Sequence, residues 1–144
     1  MTPQEELRLQ KILESVANRI QNHVDSIDPV HRFPRTGIEA WLKVEVIAAL
    51  DIIGDRVLTL NNKGPDMTLS DNLYIELKGA TDFNPSYLRD GALKDDVPCL
   101  FLGSAEFESN NDRLKAMENI RILGLKHIQG THKWIVGIIV PTTY

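Results

Sequence analysis

The chain is expected to fold as an α/β sandwich, a central mixed sheet flanked by helices. Three observations carry that expectation. Two segments near the N-terminal end repeat apolar residues at helical spacing, a set of short apolar segments broken by turn residues follows, and a near-continuous apolar stretch lies close to the C-terminal end. A length of 144 residues suits one domain, with room for a sizeable core but not for two. With 42% apolar and 25% charged residues, the balance is that of a globular protein rather than a disordered one.

From Pro3 to about His23, the residues Leu7, Leu9, Ile12, Leu13, Val16, Ala17 and Ile20 cover one broad helical face. Asp28-Pro29 helps to end that helix, and His31 to Pro34 reads as a connector. Thr36 suits an N-cap with Glu39 completing a capping box, opening a second helix that runs to Leu50 or Ile53 before the Gly54-Asp55 turn. Arg56 to Leu60 reads as a strand and Asn61 to Gly64 as a turn. Met67–Leu69 and Leu73–Lys78 read as a hairpin around Ser70-Asp71-Asn72. A short helix is expected from about Asp82–Pro85 through Leu93, then a buried strand over Pro98–Gly103. Ser109 or Asn110 would cap a further helix over Asp112–Leu125, and Lys133–Val140 would be the last strand, central in the sheet.

Sixteen basic against twenty acidic side chains give a formal charge of -4, which argues against nonspecific, tight binding of a polyanion. Bound divalent ions or a local basic patch can offset that mean. No apolar run is long enough to cross a bilayer, and Glu5 and Glu6 stand where an export signal wants basic residues. Cys99 is the sole cysteine, so no internal disulfide or thiolate cluster forms, and a cytoplasmic location is the default expectation.

The chemistry is expected at Pro65-Asp66 and Glu76-Leu77-Lys78. On a strand, Tyr74, Glu76 and Lys78 share one face and Leu73, Ile75 and Leu77 the other. If Ser70-Asp71-Asn72 turns the chain back, Asp66 returns beside Glu76, so two carboxylates and an ammonium share a small volume. Two like charges about 4 Å apart repel by roughly 4 kcal/mol at an intermediate dielectric, and a hard divalent cation removes that cost. Such an ion polarises a phosphoryl oxygen and acidifies bound water, while Lys78 can steer the water or stabilise charge on the phosphate. Service as a strict general base would need a strongly depressed lysine pKa. On the second helix Glu45 falls in the middle of the apolar side with Ile38, Trp41, Leu42, Ala48 and Ala49, so it is expected to reach the site through a metal-bound water or Lys78. Glu39 falls nearly opposite and is expected to cap its helix and pair with Lys43.

Helix, three antiparallel strands, helix and strand, with Glu45 on the helix and Pro65-Asp66…Glu76-Leu77-Lys78 on the strands, resembles the PD-(D/E)xK nuclease superfamily, the restriction-endonuclease-like fold. The likeness covers about Thr36 to Val140, an αβββαβ core to which the helix over about residues 3–25 would be an addition. The resemblance implies a Mg²⁺- or Mn²⁺-dependent phosphodiester hydrolase, most often acting on DNA, with RNA left open. It also implies Asp66 and Glu76 as metal ligands, the Leu77 carbonyl as a further one, Lys78 as the catalytic lysine and Glu45 as the helical glutamate. Arg32, Arg35, Lys63, Arg89 and Lys94 lie near the motif in chain order and are the expected phosphate contacts, interrupted by Asp90, Asp95 and Asp96. A homodimer is expected, because a core of this size touches little duplex alone. The competing reading is a non-catalytic binding or assembly module that keeps the fold, its charged residues forming ordinary surface pairs. Trp41 and Trp134 read as core anchors, Cys99 as a buried inert thiol, and His127 and His132 lack the helical context of a zinc enzyme.

Overall fold

Thr2 opens the first helix, α1 (Pro3–Asn22), by accepting the Glu5 N–H on its hydroxyl at 3.1 Å. Pro3 sits where a missing N–H costs nothing, and Glu5 and Glu6 face the positive end of the helix. The computed structural model describes residues 1–33, 37–81, 84–104 and 108–144, and of 108–110 the backbone alone. A one-turn helix, α2 (Val24–Ile27), and a 3-10 turn (Asp28–Arg32) lead on to α3 (Glu39–Ile52). Thr36, the expected cap of α3, lies outside the described residues; Ile38 precedes the helix with no side-chain cap bond.

Three strands follow as an antiparallel meander: β1 (Thr59–Leu60), β2 (Met67–Thr68) and β3 (Tyr74–Gly79). The turn between β2 and β3 places Asp71 and Asn72 at φ 58° and 57°, a left-handed conformation that Asp and Asn tolerate better than most residues. Asn84 caps α4 (Pro85–Asp95) by accepting the Ser86 and Tyr87 N–H groups. Next come β4 (Cys99–Ser104), α5 (Glu108–Lys115), β5 (Ile120–Gln129) and β6 (Lys133–Pro141). The six strands lie in the order β1-β2-β3-β4-β6-β5, with β3 and β4 parallel and every other pair antiparallel, so the sheet is mixed.

One expected element differs. The helix foreseen over Asp112–Leu125 ends at Lys115, and from Ile120 the chain is strand. Asn119 turns it at φ 68°, and β5 then pairs with β6 along its whole length, with a register shift between Ile122 and Gly124. Isoleucines at 120, 122 and 128 suit a pleated surface, and cross-strand pairing overrides the helical spacing of the apolar residues. The first strand is also shorter than foreseen, since only Thr59 and Leu60 find partners on β2.

The two faces of the sheet bury different layers. Ile75, Leu77, Leu100, Leu102, Val136 and Ile138 face α1 and α3, whereas Cys99, Phe101, Ile135 and Ile139 face Leu88 and Ala92 of α4 and Leu114 of α5. Far from being an appendage, α1 sends Leu9, Ile12, Leu13, Val16, Ala17 and Ile20 into the larger core. It also clasps the edge strand: Gln10 donates to the Leu123 carbonyl at 2.6 Å, and Gln21 bonds both the N–H and the C=O of Gln129. Buried Asp28 ties the 3-10 turn to the β5–β6 hairpin, accepting from the Thr131 N–H at 2.6 Å and the Trp134 indole N–H at 2.9 Å. Gly130 leaves the room for that carboxylate, which a Cβ there would strike. No helix among the described residues is long and apolar enough to cross a membrane.

Candidate functional site

The site grows out of the brevity of β2. Met67 pairs with Ile75, so one step further along the same register sets Asp66 opposite Glu76. Beyond Ile75, β3 has no strand on that edge. Its backbone amides still alternate: Glu76 and Ala80 donate to Pro98 and Leu102 on the β4 side, at 2.9 and 3.0 Å, which leaves the Leu77 and Gly79 N–H groups on the other. Asp66 Oδ2 accepts the Leu77 N–H at 2.7 Å and Glu39 Oε1 accepts that of Gly79 at 3.4 Å. Two carboxylates thus stand in for the missing strand. The Leu77 carbonyl faces the same edge as its N–H, while the Leu77 side chain is fully buried in the α1/α3 core.

Glu76 and Lys78 point to the opposite face, towards α4. Glu76 is only 6% exposed, and its carboxyl makes hydrogen-bonding contact with both Asp66 and Asp95. Burial first, then the contact with and the charge of Asp66, hold its proton well above the usual carboxylate range; Lys78 opposes the rise and Asp95 adds to it. Glu76 Oε2 and Asp95 Oδ2 are sealed from solvent, and apart from the proton that Glu76 retains they meet no donor among the described residues. Buried acids packed this closely are costly once ionised, and either a proton or a cation relieves that cost. No three carboxylate, imidazole or thiolate side chains among the described residues close around one point as a metal cage would. What the site offers is the Asp66–Glu76 pair with Asp95 beside Glu76; Mg²⁺ ordinarily takes one or two carboxylates, water and phosphate oxygens completing its shell.

Lys78 lies along α4 with its ammonium 4.6 Å from the centre of the Tyr87 ring. Burial on its own would depress its pKa, but Tyr87, Glu39 and Glu76 outweigh burial and leave it raised. The side chain is therefore an ammonium, suited to holding charge or orienting a water and unsuited to taking up a proton. Close packing fixes both flanks. A Cβ on Gly91 would fall 2.8 Å from Lys78 Cε, and one on Gly79 would fall 3.0 Å from the Glu39 Cα, so the start of α3 comes down directly on the end of β3.

Glu45 is buried as expected but does not belong to this constellation. Its Oε2 lies 2.9 Å from His23 Nδ1 and 2.8 Å from Arg19 Nε, the latter an ion pair without the alignment of a hydrogen bond. Leu42, Val46 and Ala49 of α3 all pack in the core shared with α1, on the far side of the sheet from the Lys78 side chain. The inward side of α3 therefore points at α1, and the correction is that Glu39, at the exposed start of the helix, is the glutamate that comes to Lys78. Glu39 accepts the Gly79 amide and makes no ion pair with Lys43, while its expected capping box with Thr36 falls outside the described residues.

The five expected phosphate contacts are spread along the fold. Lys63 is exposed in the β1–β2 turn and Lys94 is exposed on α4, where Arg89 pairs with Asp90 at 3.3 Å. Arg32 is exposed in the 3-10 turn beside Phe33, and Arg35 lies outside the described residues. Cys99, behind the site, is fully buried, and burial pushes its thiol far up, so it is inert. A groove of about 860 Å³ between α1 and the end of α3 is lined by Leu7, Lys11, Arg19, His23, Ile52 and Ile53, and none of the acid–amine residues reaches it. Beside Glu39, sequence reasoning missed Tyr87 and Asp95 as neighbours of Lys78 and Glu76; their spacing of eight along α4, with a glycine halfway, was the available signal. No family model, curated protein or solved structure significantly matches this chain.

Proposed function

We propose that this protein is a divalent-metal-dependent phosphodiesterase of the restriction-endonuclease-like kind, a nuclease that cuts DNA. The observation that carries the reading is the meeting of Asp66 with Glu76 across the β2–β3 register, with Lys78 next along the same face of β3. Asp66 spends one oxygen on the Leu77 amide and keeps the other for a ligand. Glu76 supplies its buried Oε2 once its proton is displaced, and the Leu77 carbonyl faces the same edge as Asp66. Lys78 places a positive charge against the scissile phosphate, and Glu39 anchors the strand end beneath it. A bound Mg²⁺ or Mn²⁺ would supply Lewis acidity and an acidified water at this position. Duplex DNA spans more than one such domain, so the working form on this reading is a homodimer.

The test is a cleavage panel of single-stranded, duplex and branched DNA and of RNA, with Mg²⁺, Mn²⁺ or chelator. Metal-dependent cutting that disappears in Asp66→Asn, Glu76→Gln and Lys78→Ala proteins of unchanged fold is the expected result. Undiminished cutting by all three variants refutes the assignment. A second reading, a non-catalytic binding or assembly module on the same fold, is favoured by one observation: the acid excess, with Asp90, Asp95 and Asp96 all on or just beyond the helix that walls the site. Binding of a nucleic acid without cutting under every metal condition would select it.

A further inference from the structure

We propose that one stripe of α4, formed by Tyr87, Gly91 and Asp95, is the positioning wall of the acid–amine site, holding Lys78 and Glu76 in the geometry they need to act together. The proposal rests on the nuclease reading above for what the site does, but its geometry stands on separate observations. Residues four apart lie one above another on a helix, so 87, 91 and 95 form a single line along one side of α4. Each of the three meets β3 at a different place. The Tyr87 ring receives the Lys78 ammonium at 4.6 Å. Gly91 takes the Lys78 stem: a Cβ there would stand 2.8 Å from Cε, 2.9 Å from Cγ and 3.4 Å from Cys99 Sγ. Asp95 touches the Glu76 carboxyl, in agreement with the Glu76 amide donating to Pro98, three residues further on.

A glycine in the middle of an eleven-residue helix is unfavourable relative to alanine, so its presence asks for a reason. The slot for the lysine stem is that reason. With rotation about its stem blocked by the helix backbone and its head seated on an aromatic face, Lys78 loses the rotamer freedom that would otherwise scatter its ammonium. Tyr87, Gly91 and Asp95 are positioning residues, acting through Lys78 and Glu76.

The experiment pairs two readouts on Tyr87→Phe, Tyr87→Leu, Gly91→Ala and Asp95→Asn proteins. The first is the NMR signal of the Lys78 side chain, which the aromatic ring displaces by its ring current whether or not the protein cuts anything. The second is Mg²⁺-dependent cleavage resolved into kcat and KM. The expected result is that Tyr87→Phe, which keeps the ring and loses only the hydroxyl contact with Lys78, keeps the lysine's ring-current displacement and lowers kcat less than about tenfold. Tyr87→Leu and Gly91→Ala should move the lysine signal and lower kcat roughly 10- to 100-fold at little-changed KM. Asp95→Asn should leave the lysine signal in place and lower kcat alone. A lysine signal that stays put in both Tyr87→Leu and Gly91→Ala overturns the proposal, whatever the cleavage data say. A signal that moves in Tyr87→Leu and Gly91→Ala of a protein whose wild type cuts nothing leaves the wall standing and removes the nuclease reading instead. Should Gly91→Ala fail to fold, the two Tyr87 variants decide the matter alone.

Discussion

Glu39 and Glu45 sit six residues apart on α3, and their different roles follow from which neighbour each end of the helix meets. Glu45 answers the charge of Arg19 and meets the His23 ring within the α1–α3 contact, whereas Glu39 stoppers an open amide of β3 beside Lys78. Exchange for alanine should separate them. Glu45→Ala is expected to lose about 1–3 kcal/mol in chemical denaturation, since Arg19 loses its ion-pair partner and His23 its hydrogen-bond partner, with cleavage by the folded protein unchanged. Glu39→Ala should do the reverse, lowering cleavage with a smaller loss of stability; equal effects of the two on cleavage would contradict this division. Asp28 gives a second test. Burial would raise its pKa, but the Trp134 indole and the Thr131 and His132 amides together hold it below its ordinary value of 3.8. The stability it contributes is complete above that value and drains away as pH falls below it. An Asp28→Asn protein should therefore show a lower midpoint at neutral pH and a flatter response to acid, measured by thermal unfolding from acid pH to about pH 7.

Among the elements, α1 carries more of the fold than its place outside the nuclease-like segment suggests. Leu13 is fully buried, and the space above Gly124 of β5 is filled by its Cδ2, 2.7 Å from where a Cβ would stand. Leu13→Ala should accordingly cost about 2–5 kcal/mol, readable as a shift of the denaturation midpoint at constant slope. The periodicity of α1 was legible from its residues alone, because an amphipathic helix writes its buried side directly into the spacing. β3 was legible for the same reason, its alternation assigning Glu76 and Lys78 to one face. β5 was not. Its residues between Arg121 and His127 are mostly half-buried or exposed and no apolar alternation marks them, so the strand exists through pairing with β6 rather than through local preference. Glu45 failed for a related reason: spacing reveals which side of a helix is buried, but not what lies against that side.

At the scale of the molecule, the sheet divides two cores and the acidic pair sits at the boundary between strand edge and α4. Burying Glu76 couples the site to global stability. Its folded pKa, raised from 4.5 to about 8 first by burial and then by Asp66, means that the unfolded chain ionises before the folded one does. The contribution of Glu76 to the stability of the metal-free protein should therefore be full below pH 4.5, decline as pH rises, and be lost once pH passes about 8. Glu76→Gln should flatten that decline. Added Mg²⁺ should oppose it most strongly at the alkaline end, where the charged carboxylate needs a partner; thermal unfolding with metal and with chelator across the range checks both statements. Sequence spacing was enough to foresee that Asp66 and Glu76 would meet. It could not foresee that α4 would wall them in, because that contact depends on a parallel crossover from β3 to β4, and a crossover leaves no periodic trace. The bond from the Leu77 amide to Asp66 has a practical corollary. One lobe of that carboxylate is part of the scaffold and only the other is available for chemistry, so trimming the side chain away confounds damage with disarmament. Asparagine is the cleaner probe: its carbonyl can go on mending the strand edge while its amide turns a cation away.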